Sequence, residues 1–159
     1  CFPWGVTAAG AVHLCLRRFD PALVWKHLRE SNVTHLNGAP TVLAMLAWHP
    51  DAGRLTRPVR IATGGAPPTP AILQRMAELG MDVTHLYGLT ESYGPATLCA
   101  WQDGWTSLPL DERARKMARQ GVPMPTLAGL QVADSATAAP VPRDGETPGE
   151  VVLRGNTVM

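Results

Sequence analysis

The stretch His85-Leu86-Tyr87-Gly88-Leu89-Thr90-Glu91-Ser92 decides how this chain reads. It packs an aromatic ring, a glycine, a hydroxyl and a carboxylate into a few residues. The run that leads into it, Met81 to Leu86, with Asp82-Val83-Thr84 just before His85, reads as a buried strand. A strand that runs out into Tyr-Gly-x-Thr-Glu offers a flat face for a base, a hydroxyl for a phosphate and a hard oxygen for a divalent metal. Open α/β sheets place ligands at the carboxyl ends of their strands.

Upstream, Val59 to Thr63 predicts a second strand, which leads into the glycine turn Gly64-Gly65-Ala66-Pro67-Pro68. Glycine lets backbone approach a ligand closely because it has no Cβ. Thr69-Pro70 then opens a helix bearing Ile72, Leu73, Met76 and Leu79, and Gly80 closes it. Further upstream, Asp20-Pro21 starts a helix whose buried face is Leu23, Val24 and Leu28. Val33 to Asn37 reads as a strand, and Pro40 starts a helix with Val42, Leu43 and Leu46 as its stripe. Ala11 to Leu16 reads as another buried strand. Short apolar strands alternating with helices predict an α/β fold with a parallel sheet flanked by helices. Right-handed crossovers would bring the Gly64–Ala66 turn and the Tyr87–Glu91 segment to one sheet edge.

The character changes after Glu91. Pro109 to Arg119 predicts an exposed amphipathic helix with Asp111 and Glu112 in its first turn and Lys116 and Arg119 near its end, each complementing the helix dipole. From Leu127 the chain reads as β-rich. Leu130–Asp134 and Glu150–Arg154 are the strands, and Asp144-Gly145 is a turn signal between them. The expected division is an α/β unit over residues 1–125 and the start of a β-rich subdomain over 126–159.

These motifs resemble the adenylate-forming superfamily of acyl-CoA synthetases, peptide-synthetase adenylation domains and luciferases. Four segments lie in that family's order: Asn37-Gly38-Ala39-Pro40-Thr41, Gly64-Gly65-Ala66-Pro67, Tyr87-Gly88-Leu89-Thr90-Glu91, and Pro148 to Met159 with its Gly149-Glu150-Val151-Val152 start. The segment from Leu98 to Gly121, with Trp101 and Trp105, is similar to one branch only. That branch holds plant-type acyl-activating enzymes and bacterial short- and medium-chain acyl-CoA synthetases, including 3-methylmercaptopropionyl-CoA ligases.

The resemblance implies ATP, Mg2+ and coenzyme A as cofactors and a small carboxylic acid as substrate. It implies that Gly64, Gly65, Ala66, Pro67, His85, Tyr87, Gly88, Leu89 and Thr90 border the nucleotide and acyl group. It implies catalytic roles for Thr90 and Glu91, with Glu91 on the metal. The acid would attack ATP to give an acyl-adenylate, and the thiol of coenzyme A would then displace AMP. An enzyme loading a carrier protein and a non-catalytic nucleotide-binding module are the alternatives. The family's phosphate loop, ribose-binding aspartate and small mobile domain with its catalytic lysine find no counterpart here. The chain is therefore expected to be an internal piece of the large N-terminal domain, inactive alone, with the mobile C-terminal domain absent.

Composition excludes other classes. The chain has 159 residues, 45% hydrophobic and 17% charged, so a packed core is expected rather than disorder. A net charge of +1 gives no field to hold nucleic acid. No apolar run approaches the roughly 20 residues that span a bilayer. A cytoplasmic location follows as the expectation, and a homo-oligomer is compatible with the sequence. Cys1, Cys15 and Cys99 are too scattered for a disulfide framework and read as reduced thiols in a core.

His13, His27, His35 and His49 show no metal spacing. A histidine in an apolar strand, as His85 is, more often serves the core than a ligand. Trp4, Trp101 and Trp105 read as core or wall residues, with Phe2 or Trp4 bordering the acyl pocket. Gly64-Gly65-Ala66 lacks the third glycine of a dinucleotide fingerprint, and no Gly-x-Ser-x-Gly elbow supports a serine hydrolase.

Overall fold

The computed structural model describes residues 2–159. Cys1 lies outside the described residues. The order is α1 (Phe2–Ala8), α2 (Pro21–Glu30), β1 (His35–Asn37), α3 (Pro40–Ala47), β2 (Val59–Thr63), α4 (Pro70–Glu78) and β3 (Met81–Leu89). Then come β4 (Gly94–Leu98), α5 (Leu110–Met117), β5 (Val122–Pro123), β6 (Leu127–Ala133) and β7 (Glu150–Gly155).

The helix starts follow local chemistry. Asp20 accepts hydrogen bonds from the Ala22 and Leu23 amides, and Pro21 supplies the preset φ of a first helical residue. The Thr69 hydroxyl accepts from the Ile72 amide ahead of Pro70. Gly80, at φ +83°, turns the chain out of α4 into β3.

Five strands form one sheet in the order β1-β2-β3-β4-β5. β1, β2 and β3 run parallel, with Ile61 opposite both Leu36 and Val83. β4 and β5 are antiparallel, so the sheet is mixed rather than purely parallel. The core joins Val59, Ile61, Met81 and Val83 from one sheet face to Trp25, Leu28, Leu43, Leu46, Leu73, Met76 and Ala114 from the helices. On the opposite face Arg60, Asp82 and Thr84 are exposed. β6 and β7 pair with each other as a second, antiparallel sheet, and Ala133 of β6 also bridges Pro140.

Several expectations are corrected. Ala11 to Leu16 is not a buried strand: it is irregular and mostly exposed, and among the described residues no strand pairs with it. A short apolar run carries no periodicity that separates strand from loop. Phe2–Ala8, unassigned by pattern, is helical. In α2 the buried face is Val24, Trp25 and Leu28, while Leu23 is 38% exposed. Trp25 enters the core because its indole N–H donates to the buried Leu46 carbonyl at 3.0 Å. Trp4 and Trp101 are exposed rather than core, and Trp101 meets Trp105 edge to face at the surface. Cys15 is exposed; Cys99 is buried, and its thiol titrates above its ordinary range because of that burial, partly offset by the positive Arg119.

Candidate functional site

The site is built where β2 and β3 end. Thr63 and His85 are neighbours in register, so the next residues of both strands leave the sheet side by side. Gly64 passes so close to β3 that a Cβ there would lie 2.9 Å from the Leu86 carbonyl oxygen. The glycine turn and the Tyr87 segment therefore form one surface although they are more than twenty residues apart in sequence. Gly65 adopts φ +86°, in the left-handed region, and Gly65, Ala66 and Pro67 are exposed.

β3 does not stop at Leu86 as the sequence suggested. It runs to Leu89 and pairs antiparallel with β4, so Tyr87 and Gly88 are strand residues rather than turn residues. The register shifts between them. A Cβ on Gly88 would come 2.1 Å from the Gly94 carbonyl oxygen, so only glycine admits the hairpin at this spacing. By strand alternation Tyr87 shares the sheet face of Val83 and His85, and it is half-buried.

The tip is the 3-10 turn Thr90–Ser92. Ser92 organises it: its hydroxyl accepts from the Leu89 amide at 2.9 Å and lies 3.0 Å from the Leu89 carbonyl and 2.8 Å from that of Gly94. Tyr93 follows at φ +59°, which reverses the chain into β4. Leu89, Thr90 and Glu91 thus project from a braced tip and are exposed. The Glu91 carbonyl accepts the Met159 amide at 2.9 Å, while its carboxylate has no ion-pair partner among the described residues.

His85 lies beneath this surface and is 2% exposed. Its Nδ1 is 3.0 Å from the Arg119 carbonyl oxygen; a carbonyl only accepts, so Nδ1 carries the proton. Thr97 donates to the Gln120 carbonyl, and the Cys99 thiol to that of Lys116 at 3.4 Å. His85 of β3, Thr97 of β4 and Cys99 just after β4 thereby hold residues 116–120 at the end of α5. Gly121, at φ +84°, then passes Leu98 so closely that a Cβ would sit 1.9 Å from its carbonyl oxygen.

Two residues of the site carried no role in the sequence reading. Ser92 is one. Thr63 is the other: it is 1% exposed, and its hydroxyl is the sole buried side-chain polar atom without a partner among the described residues. The available signal was its position after Val59 and Ile61, where alternation calls for an apolar residue.

Whether a magnesium ion suits this site follows from the donors. Among the described residues no group of three or more His, Cys, Asp or Glu side chains is placed to hold a metal. Glu91 offers one exposed carboxylate with no competing cation. Magnesium commonly takes one or two carboxylates and fills its octahedron with phosphates and water. The site fits magnesium as a partner of bound phosphate and not as a protein-only cage.

A family profile described as AMP-binding enzyme matches residues 1–159. The chain is 47% identical over 158 residues to the 2-methylpropanoate–CoA ligase CCL4 of Humulus lupulus, covering 99% of this chain and 28% of that protein. It is 41% identical over 162 residues to the acetate/butyrate–CoA ligase AAE7, peroxisomal, of Arabidopsis thaliana, covering 100% of this chain and 28% of that one. The chain thus spans under a third of the length of these relatives. Among solved structures it superposes on O-succinylbenzoate coenzyme A synthetase of Bacillus subtilis, a complex with ATP and magnesium ion, with a TM-score of 0.74 at 21% identity, over 98% of this chain and 30% of that one. That likeness is one of fold. With a profile match over its whole length and the glycine turn and Tyr87–Glu91 tip at one sheet edge, this chain belongs to the AMP-binding enzyme family.

Proposed function

We propose that the protein containing this chain activates a small carboxylic acid with ATP and transfers it to coenzyme A. The observation that carries this reading is the junction of two segments: Gly64, which opens the Gly64–Pro67 turn, packs on Leu86, one residue before Tyr87. A half-buried aromatic ring, exposed backbone of a glycine turn and a braced tip presenting Thr90 and Glu91 supply the contacts a nucleotide triphosphate needs. The relatives named as CoA ligases for 2-methylpropanoate, acetate and butyrate support short acids as the substrate class.

In this reading Tyr87 packs on adenine, and Gly64, Gly65, Ala66 and Pro67 line the path of the acyl group and base. Gly88 and Leu89 shape the hairpin, and Thr90 binds phosphate. Glu91 would hold magnesium, which would supply positive charge against the phosphates. His85 acts from below the surface by fixing the segment that ends at Gly121. An acid oxygen attacks the α-phosphorus, the bond to pyrophosphate breaks, and the acyl-adenylate forms. The thiol sulfur of coenzyme A then attacks the acyl carbon and AMP leaves. The chain's contribution is positioning and electrostatic stabilisation. Residues 1–125 act as the unit bearing this site, and 126–159 begin a β-rich unit.

Among the described residues no helix is long and apolar enough to cross a membrane. The cytoplasm is the compartment we propose; fractionation of the full-length protein tests it against the peroxisome named for one relative.

The test is acid-dependent ATP–pyrophosphate exchange by the full-length protein with acids from acetate to decanoate, benzoate and 3-methylmercaptopropionate. Exchange stimulated by short acids, followed by thioester formation with coenzyme A, is the expected result. ATP binding without exchange for any acid would instead favour a non-catalytic nucleotide-binding module. Exchange without a coenzyme A product would favour carrier-protein loading.

A further inference from the structure

We infer that the edge of the sheet opposite the candidate site holds a second anion site, built to take a phosphate-class oxyanion. A cavity of about 320 Å³ opens where β2 begins, lined by Leu28 and Arg29 from α2, Val33, the loop Arg54–Arg57, and Val59. Three of the lining residues are arginines, and no aspartate or glutamate lines it. None of Arg29, Arg54 and Arg57 makes an ion pair among the described residues. The nearby Asp51 carboxylate is directed at His49 instead, 3.6 Å away.

Two of the three arginines are held in place by neutral acceptors. Arg29 donates through Nη2 to the Asp51 carbonyl, and its guanidinium lies over the Trp25 ring, 5.4 Å from the centroid. Arg57 donates through Nη2 to the Asn32 side-chain oxygen. These contacts fix position without neutralising charge, and each guanidinium keeps further N–H donors in its planar fork. The cavity floor is apolar, with Val59 1% and Leu28 7% exposed, which lowers the local dielectric. Converging, unneutralised arginines over an apolar floor suit a tetrahedral oxyanion through bidentate charge-assisted hydrogen bonds. The volume accommodates a phosphate or a small phosphate ester.

The site lies at the amino ends of the strands, whereas Gly64–Pro67 and Tyr87–Glu91 lie at their carboxyl ends, so the two are separable by experiment. Inorganic phosphate is titrated calorimetrically into the full-length protein saturated with ATP, which occupies the proposed nucleotide site. The wild type is expected to bind one phosphate, more weakly as salt is raised. Arg54→Gln with Arg57→Gln is expected to weaken that binding by about tenfold or more, since hydrogen bonds to charged groups dominate it. Arg57→Lys, which keeps charge and loses the fork, is expected to weaken it less. Arg143→Gln, exposed in the loop between β6 and β7 and part of neither site, is expected to leave it unchanged. Equal phosphate affinity in the double variant, or no binding by the folded wild type, would overturn the proposal. So would sedimentation with phosphatidic acid vesicles in the absence of any response to free phosphate, because the ligand would then be a membrane headgroup.

Discussion

Gly88 shows how one residue sets the site. Its missing Cβ lets β3 and β4 close around the register shift, and the nearest atom to that empty position is backbone, which cannot rotate away. Gly88→Ala is expected to destabilise the fold by ~1–3 kcal/mol and to displace the Thr90–Ser92 tip; urea denaturation together with ATP affinity reads both effects. Glu91 and Tyr87 are exposed or half-buried, so their substitution is expected to affect ligand and not folding. Glu91→Ala in the full-length protein should lower adenylation through the handling of metal and phosphate, seen as a loss of exchange that added magnesium partly restores. Unchanged exchange would remove Glu91 from the mechanism. Tyr87→Ala should weaken ATP binding by ~1–2 kcal/mol if an aromatic face is lost, measured by titration calorimetry. His85→Ala removes the donor to Arg119 and is expected to cost ~1–3 kcal/mol of stability, measured by thermal unfolding.

Among elements, the loop joining β6 to β7 shows most clearly how charge is tied to local backbone. Asp134 accepts from the amides of Ala136 and Thr137 and from the Thr137 hydroxyl. Asp144 repeats the device with Glu146 and Thr147. The Asp144 carboxyl is held down to about 2, chiefly by the Thr147 hydroxyl, then by the amides of Thr147 and Glu146. Its folded value lies below the ~3.9 of an unfolded chain. The stabilisation is therefore fully present above about pH 4 and is lost as pH falls through about 2. Carboxyl carbon NMR is expected to show Asp144 titrating below the ordinary range and Thr147→Val moving it upward; an ordinary midpoint in the wild type would reject the assignment. The starts of α2 and α4 rest on the same kind of local capping.

At the scale of the whole molecule, one core joins four helices to one sheet face, and its centre is Trp25, Leu43, Leu46 and Met76, all at 0% exposure. Leu43→Ala is expected to cost ~2–5 kcal/mol, read by equilibrium unfolding of the full-length protein. The sequence by itself determined what local rules govern: the caps at Asp20 and Thr69, the stop at Gly80, the strands Val59–Thr63 and Met81–Leu86, and the residues of the glycine turn and the Tyr87–Glu91 tip. Each depends on chemistry within a few residues, so it could be read along the chain. Only the tertiary structure decided that Ala11–Leu16 pairs with no strand among the described residues, that β3 continues to Leu89 against an antiparallel β4, and that Trp25 rather than Leu23 is buried. It also gave His85 the Arg119 carbonyl as its partner and gathered three arginines at the far edge of the sheet. Those outcomes depend on which distant segment arrives to supply a hydrogen-bond partner or exclude water, and no local pattern in a single chain encodes that arrival.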